Sequence, residues 1–140
     1  MNLQDISLPR KLTQQLLHLA QSSPEAEVCG LVAADANGLP CQVYAVDNCA
    51  DQPQQRFLLD AAQQIQAMQQ MRDQQQYLFA IYHSHPHSAA IPSRTDIEQA
   101  TYPEALHLII SLNTKGVLEL RAYRISGSIA TELGLSLIEA

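Results

Sequence analysis

The chain has 140 residues, 46% of them apolar, enough to bury a core without disulfides and too apolar for a disordered polymer. A net charge of -6 and a pI near 5.2 argue against a nucleic-acid groove or an anionic membrane surface as its main partner. No apolar run approaches the roughly 20 residues of a membrane helix, and the opening MNLQDISLPRK lacks the basic and apolar regions of a signal peptide, so a cytoplasmic protein of one domain, residues 1–140, is expected.

Ser7 before Leu8 and Pro9 reads as a helix start, with Ser7 as N-cap and Pro9 in the first turn. Leu8, Leu12, Leu16 and Leu19 then form one apolar stripe, which SSPEAE ends. VCGLVAA reads as a short strand, DANGLP as a turn with Asn37-Gly38 suited to positive φ, and the alternating CQVYAVDN as the paired strand. The cysteines Cys29, Cys41 and Cys49 are odd in number and contain no C-x-x-C, so they read as reduced thiols. LLDAAQQIQAMQQMRDQQQ predicts a helix capped by Asp60, with Ala61, Ile65, Met68 and Met71 on one face and the glutamines toward solvent. YLFAIYH is continuous enough for a strand buried on both faces. A short helix over SRTDIEQA, a buried strand over LHLIISL, a turn at NTKG and a strand over VLELRAY follow. IATELGLSLIEA fits either a strand or a tail. Helices alternating with strands of both kinds predict an α/β domain, a mixed sheet flanked by helices.

Chemistry concentrates in IYHSHPHSAAIPSRTDIEQA, residues 81–100. His83 and His85 share one face of the strand and converge at its carboxyl end, which Pro86 terminates. Ser84 points to the opposite face. Ligands of open α/β sheets bind outside the carboxyl ends of strands. With Asp96, two imidazoles and one carboxylate supply three ligands to a zinc ion and leave the fourth position for water, the catalytic rather than the structural pattern. Taken singly, each residue has a plainer reading: a strand-end histidine packs, Ser93 caps a helix, and Asp96 sits in its favourable first turn. The whole pattern H-x-H-P-x(6)-S-x(2)-D has a chance frequency of about 10⁻⁵ in such a chain. His87 lies beyond Pro86, off the strand alternation, and reads as a loop histidine. His18 and His107 read as structural.

The H-S-H-P-x(6)-S-x(2)-D pattern resembles the signature of the JAMM (MPN-plus) family of zinc metalloproteases, and DNCADQPQQRFLLD and LHLIISL resemble that family's strand-to-helix link and post-motif strand. The resemblance implies a three-layer fold similar to that of the cytidine deaminases, with one zinc held by His83, His85 and Asp96. It implies Glu27, two residues before Cys29-Gly30, as general base, and Ser93 as a donor to the developing oxyanion. Glu25 is nearby, and only the Cys-Gly spacing selects between the two glutamates. The implied activity is hydrolysis of a peptide or isopeptide bond after the Gly-Gly tail of a ubiquitin-like sulfur-carrier protein, and the family pattern allows a homodimer.

Deamination on a similar fold requires H-x-E and P-C-x-x-C, and this chain has neither. A non-catalytic MPN-type scaffold or assembly protein, and a peptidase of phage-tail or cell-wall type, are the alternatives to weigh. Nine residues separate Asp96 from Leu106, too few for a large substrate clamp beyond a helix and a turn.

Overall fold

A computed structural model describes residues 5–114 and 116–139. Along these run β1 (Asp5–Pro9), α1 (Arg10–Gln21), β2 (Cys29–Ala34), β3 (Pro40–Val46), α2 (Ala61–Asp73), β4 (Tyr77–His85), α3 (Arg94–Glu98), β5 (Leu106–Ser111), β6 (Glu119–Ser126) and β7 (Ile129–Ile138). The strands form one mixed sheet in the order β1-β7-β6-β5-β4-β2-β3. β1 and β7 pair in parallel, as do β4 and β5, while the other neighbours are antiparallel. The expected α/β class, a mixed sheet with helices on both faces, is what the chain adopts.

Alternation along β4 distributes its side chains between two cores. Ala80 and Tyr82 join Leu108 and Ile110 on the face that α1 covers with Leu12, Leu16 and Ala20. Ile81 faces the other way and packs with Leu31, Ala67 and Met71 beneath α2. His83 and His85 share the parity of Ile81, so both imidazoles emerge on the α2 face. Among the described residues, no helix is long and apolar enough to cross a membrane.

Two local expectations shift. Ser7 does not cap α1: it lies in β1 opposite Ser136, Pro9 is extended with φ -57° and ψ 138°, and the helix begins at Arg10 without a side-chain cap. Pairing with β7 engages main-chain groups that a cap at Ser7 would leave unused, and Leu8 still reaches the core fully buried. On α2 the buried stripe runs through Ala67 and Met71, whereas Ile65 is 58% exposed. Ala61 is exposed as well, because the sheet-facing stripe runs through Gln64, Ala67, Met68 and Met71, and position 65 lies about 100° round the helix from Gln64. Asp60 caps this helix as expected, its side chain accepting from Gln63 N–H at 3.0 Å.

The ambiguous last segment is the strand β7, antiparallel to β6. Gly38 takes the positive φ expected of its turn, at 86°. Lys115 of the predicted NTKG turn lies outside the described residues. All three cysteines are free, Cys29 buried and the others exposed.

Gly30 shows how closely β2 meets its neighbours at the base of the site. A Cβ there would lie 2.5 Å from Tyr82 Oη and 2.6 Å from Tyr82 Cε2, and would strike the carbonyl oxygen of Tyr44. Gly30→Ala is expected to cost about 1–3 kcal/mol, the scale of overpacking, measured as a drop in the urea midpoint of unfolding.

Candidate metal centre

The end of β4 and the first turn of α3 bring three of the predicted residues together. The Nε2 atoms of His83 and His85 lie 3.1 Å apart, and Asp96 Oδ2 is 3.0 Å from the first and 3.1 Å from the second. These atoms form a nearly equilateral triangle, with the three residues 1%, 3% and 8% exposed.

Each corner is held from behind. His85 Nδ1 is 2.7 Å from the carbonyl oxygen of Ala89, so Nδ1 carries a proton and donates it there. The His83 ring stacks on Phe57, with centroids 4.3 Å apart and planes 20° from parallel. Asp96 is fixed by a capping box: its N–H donates to Ser93 Oγ at 3.0 Å, and Ser93 N–H donates back to Asp96 Oδ2 at 2.8 Å. Ser93 caps through its oxygen lone pairs, which leaves its hydroxyl proton available.

Glu27 comes from the segment just before the adjoining strand β2. Cys29 lies opposite His83, and the next pair back is joined twice: Ser84 N–H donates to Val28 O at 3.0 Å, and Val28 N–H donates to Ser84 Oγ at 2.9 Å. Ser84 thus bonds within the sheet, as its parity predicts. One step further along this register sets Glu27 across from His85. Glu27, His83 and His85 each offer an atom within 4.8 Å of the others, an arrangement positioned to hold a metal ion. Glu25 is exposed and Glu27 is buried. His87 is exposed on the loop after Pro86, His18 is exposed on α1, and His107 is buried in β5.

Burial works against a charge on Asp96, yet hydrogen bonds from His83 and His85 outweigh it and hold the carboxyl well below the usual carboxylate range. Burial pushes His83 down. At His85 burial acts in the same sense, but Asp96 and the Ala89 carbonyl overcome it and raise the imidazole. Glu27 lacks comparable support. Burial lifts its carboxyl to about 8, His85 pulls it back and Asp96 pushes it further. Its Oε1 is buried without a hydrogen-bond partner among the described residues. The neighbouring Cys29 thiol is driven to about 12, chiefly by burial, which makes it a poor nucleophile.

Two cavities flank the triangle. A cleft of about 400 Å³ is lined by Glu27, Gln54, Gln55, His85, His87, Ser88 and Ser93. A more apolar cavity of about 340 Å³ has Phe57, Leu59, Ile81, Asp96, Tyr102 and His107 on its walls. Phe57 has no part in the sequence reading. The only signal for it was its place in the RFLLD end of the strand-to-helix link, and nothing local says that its ring will meet a histidine 26 positions away.

The Glu27 carboxyl gives a test on the metal-free protein. An acid raised from 4.5 to about 8 carries a proton in the folded chain that the unfolded chain has lost, so stability falls as pH rises through that window. Below it the penalty is absent, and above it the penalty is complete. Glu27→Gln is therefore expected to raise the melting temperature more at pH 8 than at pH 4.5. An equal change at both would show that Glu27 is not desolvated.

Comparison with known proteins bears on this centre. The family described as "Prokaryotic homologs of the JAB domain" matches residues 9–126. The chain is 32% identical over 123 residues to a CysO-cysteine peptidase of Mycobacterium tuberculosis, a match covering 87% of this chain and 83% of that protein. It is 33% identical over 93 residues to a desampylase of Haloferax volcanii, covering 66% and 67% respectively. A solution structure of a Desulfitobacterium hafniense protein superposes with a TM-score of 0.85 at 28% identity, covering 96% of this chain and 93% of that one. With the family match spanning most of its length, and peptidases among its relatives, the chain belongs to the prokaryotic JAB-domain family, the JAMM group that its histidine motif resembles.

Proposed function

We propose that this chain is a zinc peptidase in which His83, His85 and Asp96 hold the metal, Glu27 is the general base and Ser93 stabilises the oxyanion. The triangle carries this reading. Ligand atoms on a tetrahedral zinc, with bonds of about 2.0–2.1 Å, lie roughly 3.3 Å apart, and the three atoms here are 3.0–3.1 Å apart. Two imidazoles and an ionised carboxylate suit zinc and leave one position open. The bond from His85 Nδ1 to the Ala89 carbonyl turns a lone pair on Nε2 inward, a frequent support for a metal-binding histidine. Glu27 fits the part of base better than that of ligand, because Asp96 already completes the triangle and Glu27 Oε1 has no partner among the described residues. A dication beside a carboxyl otherwise near 8 favours its ionised, proton-accepting form.

Zinc, when bound, would lower the pKa of a water ligand to about 7 and polarise the scissile carbonyl. Glu27 takes the proton of the attacking water and hands it to the departing nitrogen. The Ser93 hydroxyl donates to the carbonyl oxygen as it gains negative charge, while its lone pairs go on capping α3. The two flanking cavities give an extended chain room on either side of the bond.

The substrate in this reading is a ubiquitin-like sulfur-carrier protein extended after a Gly-Gly tail. Similarity to a CysO-cysteine peptidase and to a desampylase supports it. The short passage from Asp96 to Leu106 supports it too, because it holds only α3 and a turn and offers no large clamp for a folded partner. A tail without side chains can then lie close along the cleft, held by main-chain contacts.

Four outcomes test the reading. His83→Ala with His85→Ala should abolish zinc binding while circular dichroism stays folded; full zinc content in the double variant would overturn the ligand assignment. Glu27→Gln should keep zinc and lose about 10²-fold or more in kcat. Ser93→Ala keeps the main-chain N–H that binds Asp96, so it too should keep zinc while losing roughly 10²–10³ in kcat. On substrates, a carrier extended after Gly-Gly should be cleaved well, and the same carrier with Leu-Leu, or linked ubiquitin, poorly. Equal rates on all three would leave a peptidase without tail recognition.

A further inference from the structure

Asn48 follows β3, and its side-chain amide makes four hydrogen bonds. Nδ2 donates to the carbonyl oxygens of Glu27 at 3.0 Å and Arg56 at 3.1 Å, while Oδ1 accepts from the N–H groups of Ala50 and Leu58, both at 3.0 Å. Arg56 and Leu58 flank Phe57, whose ring lies on His83. Glu27 N–H in turn donates to the Pro53 carbonyl at 2.8 Å, inside the same loop. A single amide therefore ties the main chain of Glu27 to the segment that presses on His83.

Glu27 depends on such a tie. It precedes β2, beyond the last paired residue of the ladder, and its Oε1 has no hydrogen-bond partner among the described residues to orient it. A carboxylate unsupported at its tip takes its position from its main chain. The loop itself does not depend on Asn48 alone, because Cys49 N–H donates to Leu58 O at 2.7 Å and Asp60 N–H to Asp47 O at 3.1 Å. Closing the loop would not require a reach to Glu27; the bond to the Glu27 carbonyl is the part that loop closure leaves unexplained.

We propose that Asn48 is a positioning residue, which sets the Glu27 carboxylate against the His83–His85 pair by locking the 48–58 loop to the Glu27 main chain and the Phe57 ring to His83. This rests on the reading of Glu27 as general base. A base must come within about 2.6–3.2 Å of the proton it takes, and a misplacement near 1 Å can cost about 10²-fold.

Asn48→Asp keeps both accepting bonds and loses both donated ones, so the loop stays anchored and Glu27 keeps its N–H bond to Pro53, while the bond to the Glu27 carbonyl is cut. Asn48→Ala removes all four. With zinc loaded and a Gly-Gly-extended carrier as substrate, both variants are expected to retain one zinc per chain and to lose roughly 10–100-fold in kcat, with KM within about twofold. A second readout needs neither metal nor substrate. In the metal-free protein the Phe57 ring current moves the His83 ring protons upfield, and in Asn48→Ala their signals are expected to return toward those of an unstacked imidazole. The proposal is overturned if kcat of Asn48→Asp stays within about twofold, if only KM or the melting temperature changes, or if the His83 signals of Asn48→Ala do not move. Glu27→Gln separates this from the reading beneath it. Full activity there removes Glu27 as base, and this role with it; an inactive Glu27→Gln beside a fully active Asn48→Asp removes the positioning role alone.

Discussion

An ionised carboxylate kept in a place from which water is nearly excluded is the constraint around which this centre is organised. Removing such a charge from water costs several kcal/mol unless hydrogen bonds or opposite charge replace the solvent. Asp96 meets the condition in part through the Ser93 N–H, while the same oxygen faces Nε2 of His83 and of His85. The two imidazoles carry the argument further. His85 commits its Nδ1 proton to Ala89, so its Nε2 lone pair points at the same spot as the carboxylate and the second imidazole. Three electron-rich atoms cannot face one another at 3.0–3.1 Å without a proton or a cation among them. The geometry that would be strained for three bare acceptors is the geometry that a tetrahedral cation asks for.

Strand register converts this local demand into a site. β4 lies between β5, parallel to it, and β2, antiparallel to it, so its carboxyl end has one neighbour that takes the chain back from α3 and another whose entry carries Glu27. Parity then sets the histidines on the α2 face, beyond the Ile81 core, and leaves the α1 face to the other core. Tyr82 packs beneath α1 and Ser84 bonds to Val28, while His83 and His85 look toward the α2 side. A slip of one residue in β4 would send both histidines into the apolar core and bring Tyr82 and Ser84 into their place. The two cores therefore specify the site, because burying Ile81 with Met71 and Tyr82 with Leu108 allows only one register.

This division explains how far the sequence could be read. The parity of His83 and His85, the stop at Pro86 and the cap at Ser93 depend on contacts within a few residues, and each was legible. Glu27 was singled out only through its spacing from Cys29-Gly30; its burial beside the histidines, where Glu25 is exposed, becomes physical when the β2–β4 register is known. Ser7 misled because a capping signal competed with a parallel pairing to β7, some 130 residues away, which local pattern does not contain. Ile65 misled because a glutamine-rich helix gives the apolar period few points to fix its phase. Phe57 and Asn48 were invisible in their roles, since their partners are long-range and an asparagine in a loop has many ordinary uses.

The polar groups left unpaired point the same way as the paired ones. Among the described residues, the buried side-chain atoms without a partner are Thr13 Oγ1, Glu27 Oε1, Arg56 Nε, His83 Nδ1 and His107 Nε2. An orphaned group costs about 1–3 kcal/mol, and a fold selected for stability alone would place them anywhere or nowhere. Four of the five cluster instead: Glu27 and His83 belong to the centre, Arg56 precedes the residue that stacks on it, and His107 lines the cavity that Asp96 also borders, while Thr13 lies apart on α1. Glu27 is the sharpest case, since a carboxyl near 8 is largely protonated at neutral pH and is then a weak base. Its placement makes sense only beside a positive charge that restores its ionised form. In the proposed centre the ligands, the base and the exclusion of water are therefore not separate assets: the burial that weakens Glu27 on its own is the same burial that would strengthen every electrostatic contact once a cation is bound.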